Sequence, residues 1–257
     1  MKLPLTACII TKNEEAGLAD CLNSLDFCSE LVVVDSCSTD NTVPLAQAHG
    51  AKVLVQPFLG HIKQKQLALD QATQPWVLCI DADERVSQEL KTSILQLFAP
   101  GEPRLAGYEL SRLSFHLGRW IRHGGWYPDR GIRLARRNAC CWGGYDPHDK
   151  LLVDGPTGRL EGDLLHYVFR DLSHNVDKNN FYSSIMARDL AAAGKNPSLL
   201  KLLVKPWGKF IECYLLKRGF LDGLPGLIIA VGAAYSMFLK FAKLWEIQRL
   251  QKKTPQP

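Results

Sequence analysis

An α/β fold built on a mostly parallel sheet is predicted by three features of the first hundred residues. Short β-branched apolar runs alternate with segments of helical spacing. The runs are apolar throughout, as strands covered on both faces must be. Three of them also end directly in polar loops, Thr11–Glu15, Asp35–Asn41 and Asp81–Glu84. Ligands of parallel sheets sit outside the carboxyl ends of the strands, where such loops gather.

The elements follow in order. Leu3–Ile10 is the first strand, and Glu14–Leu25 a helix with Leu18, Cys21, Leu22 and Leu25 along one face. Leu31–Val34 (LVVV) is the second strand, Val43–His49 a short helix and Lys52–Val55 the third strand. His61–Ala72 is helical, Trp76–Ile80 is the fourth strand, and Ser87–Phe98 is a helix with Ser87 as its N-cap. From Gly107 the pattern changes to shorter strands at Gly107–Leu113, Gly131–Ala135, Lys150–Val153 and Leu164–Phe169, with aromatic and Gly-rich connections. Asp171–Ala193 reads as a helix, and Ser198–Gln251 as a separate helical segment.

Composition bounds the function. With 257 residues and 46% hydrophobic content the chain can bury a core, which excludes a largely disordered protein. The net charge of +5 is uneven: from Lys195 onward 11 Lys and Arg face 3 Asp and Glu, leaving a body of net −3. A basic tail on a slightly acidic body predicts an anionic partner for the tail, a membrane surface or nucleic acid. No nucleic-acid motif is present, and the long apolar stretch of the tail favours lipid. The eight Cys form no C-x-x-C or zinc pattern and read as reduced, mostly buried thiols of a cytosolic protein. The amino terminus does not read as a signal peptide, because its apolar stretch is short and runs into a charged motif.

The loops suggest the chemistry. In Asp81-Ala82-Asp83 two carboxylates flank a small residue at a strand end and can converge on a hard cation, Mg or Mn, that also holds a diphosphate. Asp35 and its Ser/Thr/Asp loop suit hydrogen bonding to a nucleoside, and Lys63 and Lys65 can meet a base, ribose or phosphate. Each carboxylate alone could equally cap a helix.

The runs CIITKNEE, LVVVDSCSTDNT, GHIKQKQLAL and WVLCIDADE, in that order and spacing, closely resemble the nucleotide-sugar domain of glycosyltransferase family 2, of GT-A type. Further on, WYPDRGIRLARR, HDKLLVDG, LLHYVFRDL and the hydrophobic C-terminal segment resemble one subgroup. It comprises small bacterial transferases of lipopolysaccharide core biosynthesis that add β-glucose to heptose. The resemblance places Asn13 and Glu14 in the first nucleotide-contacting loop, Asp35 on the uracil or ribose, and Lys65 on the nucleotide. It puts Asp81 on the ribose or a metal-bound water and makes Asp83 a direct metal ligand. His166 becomes a further metal or diphosphate ligand, or else a satisfied core residue.

Inverting transfer also needs a carboxylate to take the acceptor proton. Asp149, in Pro147-His148-Asp149-Lys150, is the first candidate, standing where the subgroup has Glu. Asp129 is the second, although Pro128-Asp129-Arg130 also reads as a structural turn with an ion pair. Among Arg130, Arg133 and Arg136, Arg133 is taken as the diphosphate-binding guanidinium. Trp126 and Tyr127 suit either sugar stacking or a core.

In the tail, Gly223–Leu239 gives 17 uncharged residues, short of the roughly 20 of a membrane span. Lys217, Arg218, Lys240, Lys243, Arg249, Lys252 and Lys253 bracket it, and the small residues Gly226, Ala230, Gly232, Ala233 and Ala234 permit close helix packing. A helix lying in or dipping into the inner leaflet is the first reading; a packed or dimer-forming helix and a full span are the others. Ser198–Lys217 would add a basic amphipathic helix, with Trp207 and Tyr214 at the headgroup boundary.

The combined expectation is a catalytic domain over 1–194 and a basic membrane-association region over 195–257. A divalent metal, Mg or Mn, and a UDP-sugar would serve transfer of a hexose, glucose first, to a lipid-linked lipopolysaccharide core saccharide (heptose). The place expected is the cytoplasmic face of the bacterial inner membrane, at an anionic surface, without nucleic acid and with a homo-oligomer possible. A polyprenyl-phosphate or capsule or exopolysaccharide acceptor is the alternative within enzymes, and a non-catalytic membrane scaffold the alternative outside them.

Overall fold

Four parallel strands form one half of the main sheet in the computed structural model, which describes residues 2–145 and 148–253 (the backbone alone for Tyr145, His148 and residues 251–253). They are β1 (Leu3–Thr11), β2 (Cys28–Asp35), β3 (Lys52–Val55) and β4 (Trp76–Asp81), in the order β3-β2-β1-β4. Helices α1 (Glu15–Asn23), α2 (Thr42–Ala48), α3 (His61–Asp70) and α4 (Gln88–Phe98) alternate with them. Successive strand residues enter opposite cores. Leu5, Ile9, Leu78 and Ile80 join Leu18, Leu22 and Leu90 in one cluster. Cys8, Val32, Val34, Val77 and Cys79 join Ala68 and Leu69 in the other. This two-sided burial is why the strand segments carry apolar side chains without alternation.

The other half is antiparallel in its known pairings, so the sheet is mixed. β8 (Asp129–Arg136) pairs antiparallel with β4 and with β6 (Gly107–His116). Beyond β6 come β11 (Thr157–His166) and β5 (Glu84–Val86), which are antiparallel to each other. A separate ribbon joins β9 (Cys140–Tyr145) to β10 (His148–Val153). The strand expected at Leu164–Phe169 begins earlier and ends at His166. Ahead of Leu164 it carries Arg159, Glu161 and Asp163, and this polar character hid it from an apolar reading. All eight Cys are free thiols, with Cys37 and Cys141 exposed.

Ser87 caps α4 as expected, its Oγ accepting from Leu90 N at 3.2 Å and from Asp163 N at 3.1 Å. The second bond ties β11 to the start of α4. Gly162 allows that approach: its φ is +87°, and a Cβ there would lie 2.2 Å from Leu90 N. Replacing it with Ala must therefore strain the backbone and displace α4. The Gly162→Ala protein is expected to lose about 3 kcal/mol or more in urea unfolding.

The chain divides into two compact units, Met1–Leu113 with Asp129–His166, and Ser114–Pro128 with Tyr167–Pro257. This division differs from the 194/195 boundary suggested by charge, because α5 (Leu172–Ala192) packs along α7 (Gly223–Lys253). In the second unit the end of β6 pairs with β7 (Arg119–Ile121), and α6 (Leu199–Ile211) also packs on α7. Asp222, 1% exposed, accepts from Arg122 N at 3.1 Å and His123 N at 2.8 Å, fixing the segment after β7 to the start of α7. Gly226 permits close packing inside this unit: a Cβ there would clash with Gly219 O. Lys243 does not extend outward from α7 as a free flanking charge. Its Nζ donates to Asn180 O at 2.7 Å and to the hydroxyls of Ser183 and Ser184 at 2.8 Å, all on α5.

Candidate active site

The three loops named from sequence do share one sheet edge. Thr11 is in register with Asp35, and Ile10 with Asp81, so β1, β2 and β4 finish at one level. The first two loops are held together by mutual hydrogen bonds. Asn13, in the left-handed region at φ 54°, accepts from Thr39 N at 2.8 Å and donates its own N–H to Ser38 Oγ at 2.8 Å. Glu14 N donates to Thr42 Oγ1 at 2.8 Å. Asp35 is closed to solvent and accepts from Thr11 Oγ1 at 3.0 Å, Ser38 N at 2.7 Å and Ser38 Oγ at 2.5 Å. Of roughly four acceptor positions on a carboxylate, three are thus filled from within the protein. Asp35 and Asn13 first of all shape the loop that faces the edge.

At the end of β4 the charges interlock. Lys65 of α3, 8% exposed, places its Nζ 2.9 Å from Asp81 Oδ1 and 2.8 Å from Asp149 Oδ2. The same ammonium lies 4.8 Å from the centre of the Trp142 ring. Arg133 reaches Asp81 at 3.7 Å and Glu84 at 3.5 Å, and its Nη1 is buried without a hydrogen-bond partner among the described residues. Glu84, fully buried, also meets Arg112 at 3.4 Å and accepts from Asp81 N at 2.9 Å. Lys65, Asp81, Arg112, Arg133, Trp142 and Asp149 line a cleft of about 670 Å³ in the first unit. Antiparallel pairing explains the convergence: β8 sets Leu134 opposite Leu78, which carries Arg133 toward Asp81.

Asp83 and His166 form the remaining pair. His166 is in register with Glu84 across β11 and β5, and its Nε2 lies 3.3 Å from Asp83 Oδ2. Asp83 retains 29% side-chain exposure. A carboxylate oxygen and an imidazole nitrogen at this separation are a donor set suited to a divalent cation. Among the described residues no group of three His, Cys, Asp or Glu is placed to hold a metal ion.

The expected residues are thus distributed unequally. Lys65, Asp81, Arg133 and Asp149 meet, Asp83 and His166 meet beside them, and Asn13, Glu14 and Asp35 build the adjoining loop. Lys65 is correspondingly engaged by two carboxylates. Asp129 is held by Arg112, whose Nε lies 2.9 Å and Nη2 2.5 Å away, the ion pair that its turn motif suggested. Arg136 binds Glu102 and Pro103 O. Trp126 and Tyr127 belong to the second unit, where Trp126 stacks on His116. Sequence reasoning missed Glu84 and Arg112. The signal for Glu84 was its place directly after Asp81-Ala82-Asp83; Arg112 carries none.

Burial by itself would raise Asp81, but Lys65 and Arg133 outweigh it and hold the carboxyl well below the usual carboxylate range. For Lys65, burial opposes the charge, yet Asp81 and Asp149 hold its pKa above the ordinary lysine value. A depressed carboxyl contributes stability above its unfolded pKa of about 3.9 and loses it as pH falls toward the folded value. The raised lysine contributes below about pH 10.4 and loses its share as pH rises through its folded value. The stability difference between the native chain and Asp81→Asn is therefore expected to stay level across neutral pH. It should narrow only below about pH 4 in urea titrations.

Residues 6–149 match the model described as glycosyl transferase family 2. The chain belongs to glycosyltransferase family 2. A relative, the lipopolysaccharide core biosynthesis glycosyltransferase LpsC of Rhizobium meliloti (strain 1021), is 34% identical over 97% of this chain and 95% of its own length. An uncharacterized glycosyltransferase of Rickettsia typhi is 35% identical over 93% of this chain and 86% of its own. Among solved structures, S. aureus TarS 1-349 in complex with UDP aligns at a TM-score of 0.48 and 15% identity, covering 98% of this chain and 92% of that one. For this family 2 glycosyltransferase, the mixed sheet flanked by helices is the expected GT-A fold. The match ends at Asp149, so His166 lies beyond it.

Proposed function

We propose that this glycosyltransferase is metal-dependent and inverting, and that it moves a hexose, glucose first, from a UDP-sugar to a heptose of the lipopolysaccharide core. The observation that carries the reading is the placement of the Asp83–His166 pair two residues along the chain from Asp81, which shares Lys65 with Asp149. Asp81 has its charge offset by the protein's own cations, whereas among the described residues Asp83 has the His166 imidazole, and no Lys or Arg, within ion-pair distance. Asp83 is therefore the carboxylate suited to an added cation. A divalent cation held by Asp83 and His166 would offset the charge that builds on the departing diphosphate.

The chain's own residues supply the rest. Asp149 takes the proton from the acceptor hydroxyl as that oxygen bonds to the anomeric carbon. The bond from that carbon to the diphosphate breaks on the opposite side, UDP leaves, and the configuration inverts. Lys65, 2.8 Å from Asp149 Oδ2, holds that carboxylate in orientation. Arg133, with an unused buried Nη1, faces the diphosphate position. Asn13, Glu14 and Asp35 hold the nucleotide-side loop. LpsC supports the lipopolysaccharide-core acceptor class.

The second unit supplies attachment. The helix spanning Gly219–Leu250 is long and apolar enough to cross a membrane by length and composition. On α6, Leu199, Leu200, Leu203, Val204 and Trp207 are all exposed, with Lys201 and Lys205 between them. Such a basic amphipathic face suits an anionic surface at the cytoplasmic face of the inner membrane, where a lipid-linked acceptor stays.

The test is thermal unfolding with UDP-glucose, UDP-galactose, UDP-N-acetylglucosamine and GDP-mannose, with and without Mn. UDP-glucose with Mn is expected to give the largest shift, about 2.7 kcal/mol of added stability at a hundredfold excess over Kd. A shift with GDP-mannose alone, or a UDP-sugar shift indifferent to Mn, would overturn the donor or the metal assignment respectively.

A further inference from the structure

Within the second unit, a cavity of about 510 Å³ runs beside α7, against α5. Trp126, Phe169, Val176, Met186, Ile229 and Tyr235 are among the apolar residues of its wall. The volume is that of a small-ligand pocket, but an apolar wall by itself names no occupant. The polar groups on the wall are largely satisfied by one another. Asn179 donates to Asn175 at 3.0 Å, and the Asn175 amide meets His116 Nε2 at 3.3 Å. Burial holds the His116 pKa below its ordinary value, so this part of the wall is uncharged at neutral pH.

Charge gathers elsewhere on the rim. Lys209 of α6 and Lys240 of α7 line the same cavity. Burial first, and then the charges of Lys205 and Lys209, push the Lys240 ammonium below the ordinary lysine value. Lys209 has Glu212 at 3.1 Å. Neither Lys205 nor Lys240 has a carboxylate partner within ion-pair distance among the described residues. Clustered like charges beside an apolar wall are unfavourable until an anion lies among them. The complementary molecule has an anionic head and a hydrocarbon chain.

We propose that this cavity binds the hydrocarbon chain of a phosphate-bearing lipid, with its head group at Lys209 and Lys240. This goes beyond adsorption of α6 to a surface, and it does not depend on the assignments of Asp83 or Asp149. It gives the second unit a one-to-one lipid site, separate in its side chains from the exposed face that carries Trp207.

Calorimetric titration of the full chain with 1-oleoyl-lysophosphatidate, below its micelle concentration, tests the proposal. Saturable one-to-one binding is expected, with no binding of inorganic phosphate and binding of oleyl alcohol weaker by about tenfold or more. A Cβ at Gly232 would meet only Asn179 Nδ2, at 3.9 Å, so a larger side chain there extends into the cavity. Gly232→Leu is expected to weaken lysophosphatidate binding about tenfold or more, with its helical circular dichroism kept. Lys240→Gln should weaken it by a similar factor, and decides the matter if Gly232→Leu fails to fold. Trp207→Ser, 70% exposed on α6, should leave this affinity unchanged while reducing binding to phosphatidylcholine–phosphatidylglycerol vesicles. Undiminished affinity in folded Gly232→Leu, or in Lys240→Gln, overturns the proposal. So does phosphate binding as tightly as the lipid, which would mean an anion site alone.

Discussion

Asp83→Ala protein is expected to fold normally and to lose sugar transfer by a factor of about a thousand or more. The two halves of this expectation come from different facts. Asp83 keeps 29% side-chain exposure and has an imidazole as its ion-pair partner, so its removal uncovers no buried lone charge. Its thermal midpoint should stay within about 3 °C of the native one. The activity loss follows from the charge pattern. Asp81 is already compensated by Lys65 and Arg133, and Glu84 by Arg112 and Arg133, so neither can replace Asp83 toward a divalent cation. Transfer measured with UDP-glucose across a Mn series checks this. Native turnover in Asp83→Ala at any Mn concentration would remove the metal from the reading. Turnover restored only at high Mn would keep the metal and place its main holding group elsewhere.

The second large effect concerns the proton acceptor. Asp149→Asn is expected to retain UDP binding and to lose turnover by about a thousandfold, the middle of the range for removing a general base. The fold should persist, because Lys65 keeps Asp81 at 2.9 Å after its bond to Asp149 is weakened. Asp129→Asn should cost less than about tenfold. That carboxylate is gripped by two nitrogens of Arg112 and orders the start of β8. A kcat loss in Asp149→Asn with KM for the donor unchanged is the expected signature. The opposite ranking of the two variants would transfer the role to Asp129.

Much of the parallel half was legible because its signals are local. LVVV and WVLCI are continuous apolar runs, and each passes straight into its polar loop, so the strand ends and the functional edge could be read together. Asp149 and Lys65 were each noticed for their residue type. Their contact was not readable, since it joins positions 84 residues apart through α3 and the β9–β10 ribbon. The short strand β5 was missed because three residues, Glu84–Val86, carry no period. Yet β5 is what brings His166 to Asp83. The tail shows the opposite failure. Its composition was read correctly as basic and apolar, but charge counting treated Lys243 as a free flanking charge, whereas its ammonium is hydrogen-bonded to acceptors on α5. Net charge marks a region; only packing says which charges are free to act.

The pairing of β11 with β5 also sets how far the chain can be shortened. A truncation after Asp149 would keep every residue matched by the family model, yet remove both His166 and the strand that lies between β6 and β5. Glu84–Val86 would then have no neighbour in the sheet, and Ser87 would lose its bond from Asp163. A fragment of that length would display the sequence motifs of a transferase while lacking the framework that turns them into a site. The shortest autonomous catalytic fragment of the first unit must therefore run past His166.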